Sequence, residues 1–481
     1  MGNSIKLIKV FFTFILLMIL IVSCAKSPAK VEHDLEINIP NKWSSESNDG
    51  VYSLDKWWGT FYSDELDKLI VEGLQFNRNL KAAAARIETA EAYARITGAS
   101  LYPQINSSFN ASRERQVLKG YGLDDRAIRS KVNNFGVSLN ISWELDLWGK
   151  IRAMTQAAIA DLEATYETYN GLLLSTAAQI AKAWFALIET NQQLKLAERT
   201  VNNYEETARY TSNRVNMGVQ PPNDKHLAYT NLEQAKELLQ QQKELLDQTK
   251  RQLEVLLGRY PLSKIDSPDK LPMLPKPVPT GLPAEIISRR PDLRAEERRL
   301  AGALERIKGA KRELYPSISL TGSGGRTSSD FDDLLSGDFG IWKIAGNLLQ
   351  PIFQGGRLRA QIMLRKGELK EIAENFAQSA LTAFMEVEMT LTSENILIER
   401  AKVLKKAVTE SQRALEISLN RYAQGVESFI IVLESQRRAL DVERMFISVR
   451  RQILDNRVDM YLALGGGFET IEDKINVNNK K

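Results

Sequence analysis

One segment limits the folds open to this chain more than any other feature of its sequence. Between residues 135 and 147 (FGVSLNISWELDL), an apolar side chain occupies every second position, and Gly, Ser, Asn, Glu or Asp fills each position between. This alternation predicts a strand with one apolar and one polar face. The segment is longer than the ~9–11 residues with which a tilted strand crosses a bilayer, so it indicates a membrane-spanning β-strand.

Three other segments alternate in a similar way. We predict strands over residues 104–115, 134–147, 317–325 and 339–352. In the last of these, Lys343 and Asn347 share a face with apolar residues, which leaves the register of that strand open. The hairpin tips predicted over residues 116–133 and 325–338 are long and polar, as is typical of the extracellular loops of outer-membrane barrels.

The second half of the chain repeats the first. Arg214 and Gly218 recur as Arg421 and Gly425, both 207 residues further along the sequence, and the LYP motif at residues 101–103 recurs at 314–316. A register held over such a distance indicates a two-fold internal repeat, with a unit much longer than a solenoid module. Each half is therefore expected to contain the same order of helices and strands.

Two long segments are expected to form helices. Residues 151–217 and 358–424 each lack proline and contain a single glycine, so each predicts roughly 100 Å of helix at 1.5 Å per residue. Helices of this length need a partner along their length. Apolar residues spaced by sevens after each long helix predict coiled-coil-like packing. They are Leu232, Leu239, Leu246 and Leu253, with the repeat mates Ala439, Phe446, Ile453 and Met460.

Four strands in one chain cannot close a barrel. The smallest barrels have about eight strands, and at that size side chains fill the interior. A sheet with open edges is not stable in lipid, because each unpaired backbone group costs several kcal/mol there. The chain must therefore oligomerise. We expect at least three copies around an axis, which enclose an aqueous lumen and continue into a tube of helices.

The N-terminus has the features of a bacterial export signal. Lys6 and Lys9 precede thirteen nearly all apolar residues, 10–22, and residues 21–24 (IVSC) resemble a lipobox. Cys24, the only cysteine, is therefore expected to be the lipidated residue and to carry palmitate. Ala25 follows it, and this residue favours the outer membrane as the destination of the lipoprotein.

The sequence divides into six expected segments. They are a signal peptide (1–23), a lipidated extension (24–62), a first structural repeat (63–260), a proline-rich connector (261–290), a second structural repeat (291–465) and a C-terminal tail (466–481).

Composition and charge argue against several functional classes. The formal net charge is only +4, which gives no electrostatic footprint for nucleic acid. The two histidines, His33 and His226, lie far apart and the single cysteine cannot join them, so we expect no metal site. No nucleophile–base pair is apparent. We therefore expect no cofactor and no enzymatic activity.

Several motifs resemble those of the outer membrane factor family of TolC-like efflux channels, in the lipidated branch that serves resistance-nodulation-division pumps. The motifs are Trp57-Trp58-Gly59, FYSDELDKLI (61–70), the paired LYP segments, SWELDLWGKIR (142–152), GLPAEIISRRPDLRAEE (281–297) and QPIFQGGRLRA (350–360). The resemblance covers nearly the whole mature chain, from about residue 35 to 465.

This resemblance implies both a fold and a function. The fold is mainly α-helical, with four transmembrane strands per protomer that close as a twelve-stranded β-barrel in a homotrimer, above a twelve-helix periplasmic barrel. The function is that of an outer membrane channel in a tripartite efflux system, a passive exit duct for drugs or toxic small molecules. The implied partners are a periplasmic adaptor protein and an inner-membrane pump.

The resemblance also places functional residues at the two turns that end the long helices. Gly218 and Gly425 follow those helices, where a glycine supplies the left-handed cap conformation. Similar channels contact their adaptor and narrow their pore at these tips. Each glycine is in any case expected to cap its helix.

Asp224 and Tyr422 match gate positions of similar channels. A Tyr422 hydroxyl that donates to the Asp224 carboxylate would latch neighbouring helix pairs. The alternative for Asp224 is a first-turn acid favoured by the helix dipole. Glu427 departs from the family, because the first-described member carries arginine at this position, and this leaves the gate mechanism open.

A possible constriction follows the second turn. Ile430, Ile431 and Glu434 share one helical face, and threefold symmetry would turn each position into a ring. Glu434 matches an acidic constriction of similar channels, and three carboxylates around a narrow aperture favour cations. The alternative is that Ile430 packs in the helical seam and Glu434 is a solvated surface charge.

Two other functions compete with the efflux duct. One is a channel for type I protein secretion, and the other is a structural coiled-coil lipoprotein without a pore. The alternating strands argue against the second, and the lipobox with residues 281–297 favours efflux over the first. The sequence does not identify the substrate, the adaptor or the pump.

Overall fold

The computed structural model describes residues 27–29, 40, 42–44, 56–118, 128–278, 283–335 and 337–466. Within these residues the chain is mainly helical and contains one four-stranded sheet. The helices are α1 (Asp64–Phe76), α2 (Arg78–Ala99), α3 (Lys150–Asn216), α4 (Pro222–Leu256), α5 (Ile286–Arg289), α6 (Pro291–Arg312), α7 (Arg357–Ala423) and α8 (Phe429–Ala463). The strands are β1 (Gln104–Leu118), β2 (Ile128–Leu145), β3 (Ser317–Ser328) and β4 (Gly340–Leu349). Short 3-10 turns occupy Trp57–Phe61, Pro283–Glu285, Asp332–Leu335 and Gly337–Phe339.

The internal repeat is confirmed by the helix limits. Helices α3 and α7 each contain 67 residues, and α4 and α8 each contain 35. All four ends of the second pair lie 207 residues after those of the first. Helices α2 and α6, which precede the two hairpins, also match, with 22 residues each. The hairpins differ in length, because β1 and β2 are longer than β3 and β4.

The first hairpin reaches further toward its tip than predicted. Cross-strand pairing continues to Leu118 opposite Ile128, so the predicted tip over 116–133 is too long. At its other end β2 stops at Leu145, two residues short of the alternating pattern. The reason is local, because Asp146 leaves the strand to cap α3, and its carboxylate accepts hydrogen bonds from backbone N–H groups of the first helical turn.

The second hairpin also departs from its predicted limits. β3 extends to Ser328, which pairs with Phe135, so the predicted tip over 325–338 begins too early. β4 ends at Leu349, and the predicted end at residue 352 is wrong. Pro351 has no backbone N–H to donate to a ladder, which limits continuation of the strand.

The pairing order β1–β2–β3–β4, antiparallel throughout, determines which side chains share a face. The apolar face carries Ile105, Phe109, Phe135, Val137, Leu139, Ile141, Trp143, Leu145, Ile318, Leu320, Trp342, Ile344 and Leu348. The polar face carries Asn106, Ser108, Asn110, Ser138, Asn140, Ser142, Ser319, Thr321, Ser323, Lys343 and Asn347. The register left open for β4 is thereby settled, with Lys343 and Asn347 on the polar face.

The chain divides into two compact units, and each draws on both repeats. The first contains the sheet, in residues 86–165 and 296–375. Here α6 packs closely on α3. The close approach occurs at Gly302, where a Cβ would lie only 3.3 Å from the carbonyl oxygen of Ala157. An ion pair between Arg306 and Asp161 joins the same two helices.

The second unit contains the tips of the long helices and an aromatic cluster around residues 57–61. Trp57 is buried and stacks on Tyr461, with ring centroids 5.2 Å apart, and Phe61 lies 5.2 Å from Phe185. The Thr60 and Tyr461 hydroxyls are 3.0 Å apart. The WWG motif therefore anchors the N-terminal segment to α3 and α8.

A buried arginine fixes the connector within the second unit. Arg457 of α8 is 0% exposed. Its guanidinium donates to the carbonyl oxygen of Pro275 at 3.1 Å, to that of Lys276, and to the carboxylate of Glu394 in α7. The connector is therefore held to two helices by one charge-assisted network centred on a buried arginine.

The predicted apolar seam is buried mainly at its ends. Leu232, Leu253, Ala439 and Met460 are buried, whereas the four residues between them are half-buried in the single chain. Helix α3 contains an 18-residue segment that is long and apolar enough to cross a membrane, but 56% of that segment is buried inside the chain. We interpret it as part of a core helix.

Candidate functional site

The first tip turn ends α3 through a glycine. Gly218 has φ +72°, a left-handed conformation that side chains rarely adopt. Its N–H donates to the carbonyl oxygen of Val215 at 2.9 Å, and the N–H of Val219 donates to that of Arg214 at 2.9 Å. This pair of bonds is a Schellman cap, which satisfies carbonyl groups at the end of the helix.

The second tip turn repeats this geometry after α7. Gly425 has φ +80°, and its N–H donates to the carbonyl oxygen of Tyr422 at 3.0 Å. The N–H of Val426 donates to the carbonyl oxygen of Arg421 at 3.1 Å. The predicted capping role therefore agrees with the structure at both glycines, while their contact with an adaptor stays a prediction.

Arg214 links the two tip turns within one chain. One of its guanidinium nitrogens donates to the Ala423 carbonyl oxygen at the end of α7 and to the Tyr210 hydroxyl, each at 3.0 Å. The guanidinium carbon lies 5.6 Å from the ring centroids of both Tyr210 and Tyr422. Arg214 is thus held by hydrogen bonds and by two cation–π contacts.

Sequence reasoning noted Arg214 as a repeat marker but assigned it no role. Its repeat mate, Arg421, behaves differently and pairs within its own turn with Glu427 at 3.1 Å. The position equivalent to Glu427 in the first turn is Gln220, which offers no carboxylate. That difference between the repeats was the available signal that Arg214 needs another partner.

Tyr422 lies in the core of the tip and is 1% exposed. Its ring packs against Phe429 with centroids 5.3 Å apart, and its hydroxyl donates to the Thr211 hydroxyl oxygen at 3.4 Å. Burial raises the pKa of the Tyr422 hydroxyl. Within the described residues of one chain, this hydroxyl makes no hydrogen bond to Asp224.

Asp224 stands in the first turn of α4 and is half-buried. Burial raises the pKa of its carboxyl group above the ordinary aspartate value. Among the described residues, its side chain has no ion pair or hydrogen-bond partner.

The constriction candidates stand one turn beyond the second tip. Ile430 is 64% exposed and Ile431 is 44% exposed, so neither packs in the core of this chain. Glu434 accepts hydrogen bonds from Arg437 and Arg438, each at 2.7 Å. These bonds, first to Arg438 and then to Arg437, lower the pKa of Glu434.

Two expectations concern chemistry elsewhere in the chain. Cys24, the expected lipidation site, lies outside the described residues. No group of three or more His, Cys, Asp or Glu residues in the described ranges could hold a metal ion.

The sheet and the helices together define a class of protein. A sheet with one lipid-compatible face and one polar face, in a chain whose other main elements are two pairs of long helices, is the architecture of a channel-forming outer-membrane protein. The chain belongs to the outer membrane efflux protein family, whose model matches residues 69–259 and 282–466. It is the outer-membrane channel component of an efflux system, in a family of channels rather than of enzymes.

Individual relatives agree with this assignment. The chain is 29% identical to the toluene efflux pump outer membrane protein TtgF of Pseudomonas putida, covering 87% of this chain and 86% of that protein. It is 28% identical to the pyoverdine export outer membrane protein OpmQ of Pseudomonas aeruginosa, covering 94% and 96%. The crystal structure of the Campylobacter jejuni CmeC outer membrane channel matches with a TM-score of 0.86 and 26% identity, covering 95% and 98%.

Proposed function

We propose that three copies of this chain close one twelve-stranded barrel and form an exit duct for drug-like or toxic small molecules. The observation that carries this proposal is the pairing order of the sheet, in which β1 and β4 each have one unpaired edge. Such edges are too costly to leave in lipid, so β4 of one copy must pair with β1 of the next.

The number of copies follows from the size of the pore. Two copies would supply eight strands, whose barrel interior is filled by side chains. Three copies supply twelve strands and leave room for water and solute. The polar face is suited to line that lumen, because its amides and hydroxyls hydrogen-bond to one another across the strands. One example is the Ser108–Ser138 pair at 2.9 Å.

The tips of the long helices are proposed to dock a periplasmic adaptor, which joins the channel to an inner-membrane resistance-nodulation-division pump. Both turns expose apolar side chains that the described residues leave largely uncovered. Met217 is 76% exposed, and Val219 and Val426 are about equally exposed at 58% and 60%. Gly218 leaves open space beside these side chains for a partner backbone, whereas a guanidinium nitrogen of Arg214 lies 3.7 Å from the place that a Cβ at Gly425 would take.

The closed aperture is proposed to lie at the same tips. In a threefold assembly, the Asp224 carboxylate of one copy would accept a hydrogen bond from a neighbouring copy. It would then have the hydrogen-bond donor that the described residues of its own chain do not supply. Ile430 would form an apolar ring and Glu434 an acidic one. Arg437 and Arg438 keep the Glu434 carboxylate ionised but also offset its charge, so cation selection at the ring requires that these arginines turn away from the aperture.

A lipid anchor at Cys24 is proposed to assist membrane attachment. Pro28, four residues later, is held by Arg298, whose guanidinium donates to the Pro28 carbonyl oxygen at 3.1 Å. The relatives named for toluene and pyoverdine support small organic molecules as the substrate class.

Oligomeric mass and conductance test the proposal together. Native mass spectrometry of the purified protein in detergent should give a trimer, and planar bilayers should show pores of stable conductance. A strain that lacks the chain should become more sensitive to dyes and solvents, and the parent sequence should restore resistance. A monomer that forms no pore would contradict the proposal, and so would full resistance without the chain.

A further inference from the structure

The lipid-facing side of the first hairpin ends in a basic cluster. On β1, the apolar face continues beyond Ala111 into Arg113 and Arg115, and on β2 it continues beyond Phe135 into Lys131. All three cationic side chains are exposed. They form one patch directly above the apolar band, here called the basic cluster and defined as Arg113, Arg115 and Lys131.

The register of the hairpin makes this cluster unfavourable by itself. Arg115 is directly opposite Lys131, with Arg113 two residues further along the same face. Like charges placed directly opposite each other destabilise a strand pair. The acidic residue between the two arginines, Glu114, points to the polar face. In the described part of the chain, no carboxylate pairs with any of the three cations.

The cluster lies at the end of the strands away from the helices. α2 leads into the start of β1 and α3 follows the end of β2, so both helices join the opposite end of the hairpin. If the long helices are periplasmic, as in the proposed function on which this inference rests, the basic cluster faces the outer leaflet.

The depth of the cluster matches the lipid headgroups. Phe135 and Leu145 are the first and last apolar residues of the lipid-facing side of β2, ten residues apart. At about 3.4 Å per residue and a tilt of about 40°, they span roughly 26 Å along the membrane normal. This is the height of the apolar band of outer-membrane barrels, about 25 Å. Lys131, four residues beyond Phe135, therefore stands outside the hydrocarbon core.

We propose that the basic cluster binds the phosphate groups of outer-leaflet lipids. Arginine side chains bind phosphate oxygens with paired N–H donors, and lysine adds a point charge. A bound phosphate would neutralise the Arg115–Lys131 repulsion, while the acyl chains of the same lipid contact the exposed parts of Phe109 and Phe135. Phe331 of the second hairpin tip covers another part of these two rings, with its centroid 6.4 Å from Phe109 and 5.8 Å from Phe135. The partner is thus a phosphate-bearing lipid whose head and tails meet two adjoining parts of one face.

Lipid binding by the purified full-length protein tests the proposal. The probe is lipid A, a bisphosphorylated, multiply acylated glucosamine disaccharide, and its dephosphorylated form serves as the neutral analogue. Native mass spectrometry in a non-ionic detergent gives the dissociation constants. Replacement of all three cations by Gln should weaken lipid A binding on the order of 100-fold and leave binding of the neutral analogue unchanged. The single variant Arg115→Gln is measured as well. Its control is Lys343→Gln, which removes one cation from the polar face.

Stability in lipid-free detergent gives an independent measurement. The triple variant should unfold at the same temperature as the parent or a higher one, because repulsion is relieved, and only the parent should gain stability from lipid A. A triple variant that is less stable without lipid would mean that the cations have structural partners, which overturns the proposal. If the triple variant does not fold, Arg115→Gln alone is measured.

Three binding results would also overturn it. They are unchanged lipid A affinity in the variant, an equal loss in Lys343→Gln, and saturation of the site by inorganic phosphate in place of lipid. Conductance and trimer mass are measured on the same samples. A variant that remains a conducting trimer but binds lipid A like the parent refutes the lipid site alone, without affecting the proposed function.

Discussion

The guanidinium of Arg214 donates a hydrogen bond to the backbone carbonyl of Ala423, 209 residues away in sequence. This contact joins the end of α3 to the end of α7. It satisfies one of the carbonyl groups that every helix leaves without an internal partner at its C-terminus, and it brings a cation to the negative end of the helix dipole. The two tip turns of one protomer are therefore linked by a direct side-chain contact, and we predict that they are coupled.

Loss of this coupling should loosen the closed tip. Arg214→Gln removes a charge-assisted hydrogen bond and two cation–π contacts, a loss of about 1.5–3 kcal/mol. We expect higher conductance of the closed channel in planar bilayers, with trimer mass unchanged. Arg421→Gln, at the equivalent repeat position, breaks only a pair within its own turn and serves as control. Equal conductance in both variants would contradict the coupling.

The proposed latch can be tested at Asp224 and Tyr422. Asp224→Ala combined with Tyr422→Phe should raise the conductance of the closed channel, because both polar groups are removed from the tip. Tyr422→Phe alone should reduce stability by less than about 1 kcal/mol, since its bond to Thr211 is long at 3.4 Å. Tyr229→Phe, at a half-exposed position of α4, is the control. Unchanged conductance in the double variant would remove both residues from the gate.

Stability should depend on pH through Asp455 of α8. Burial raises the pKa of this carboxyl to about 6, against the attraction of Arg451 and Lys182 and with added repulsion from Asp459 and Glu189. Because the folded-state pKa is raised above 3.8, stability should fall as the pH rises from about 4 to about 6, and the full penalty for ionisation applies above that range.

This destabilisation should be relieved as the pH falls from about 7 to 4, by about 2 kcal/mol at 1.36 kcal/mol per pKa unit. Asp455→Asn cannot ionise, so its unfolding temperature should vary less over that range. Asp441→Asn, at an exposed position of the same helix, should keep the dependence of the parent. Thermal unfolding followed by tryptophan fluorescence measures all three proteins. Parallel curves for the parent and Asp455→Asn would refute the assignment.

Arg457 should be among the most sensitive positions in the helical part of the chain. Arg457→Met leaves the Glu394 carboxylate without its buried partner, which typically costs about 3–5 kcal/mol. It also frees the connector at Pro275 and Lys276, so trypsin should cut after the exposed Lys270 of the same connector faster than in the parent. Lys250→Met, at the equivalent position of the first repeat, is the control. Equal cleavage of the parent and Arg457→Met would show that other contacts hold the connector.

The lipid anchor is tested at its single cysteine. Cys24→Ala should abolish incorporation of labelled palmitate completely, because the chain has no other cysteine. The strands still span the membrane, so channels should assemble and conduct. Cys24→Ser is the closer control for side-chain size and should behave like the alanine variant. Label that still enters either variant would show that the anchor is elsewhere.

Sequence periodicity was most informative for strands and helix caps, which are determined by residues close together in the sequence. The alternation of residues 135–145 identified β2 and its two faces, since side chains in a strand alternate whatever the strand pairs with. The repeated arginine and glycine marked both tip turns, because a glycine after a helix adopts the left-handed conformation for local steric reasons. The prediction was least accurate at strand ends, where Asp146 prefers a helix cap to a place in the ladder.

The amino-acid sequence alone therefore determined the kinds of element, their twofold order and the need for more than one copy. Only the tertiary structure decided the register of β4, the partners of Arg214 and Arg457, and the alignment of Arg115 opposite Lys131. The physical reason is distance along the chain. A helix or strand is encoded by residues a few positions apart, whereas these contacts join residues brought together only when whole elements pack, and no local period specifies which ones meet.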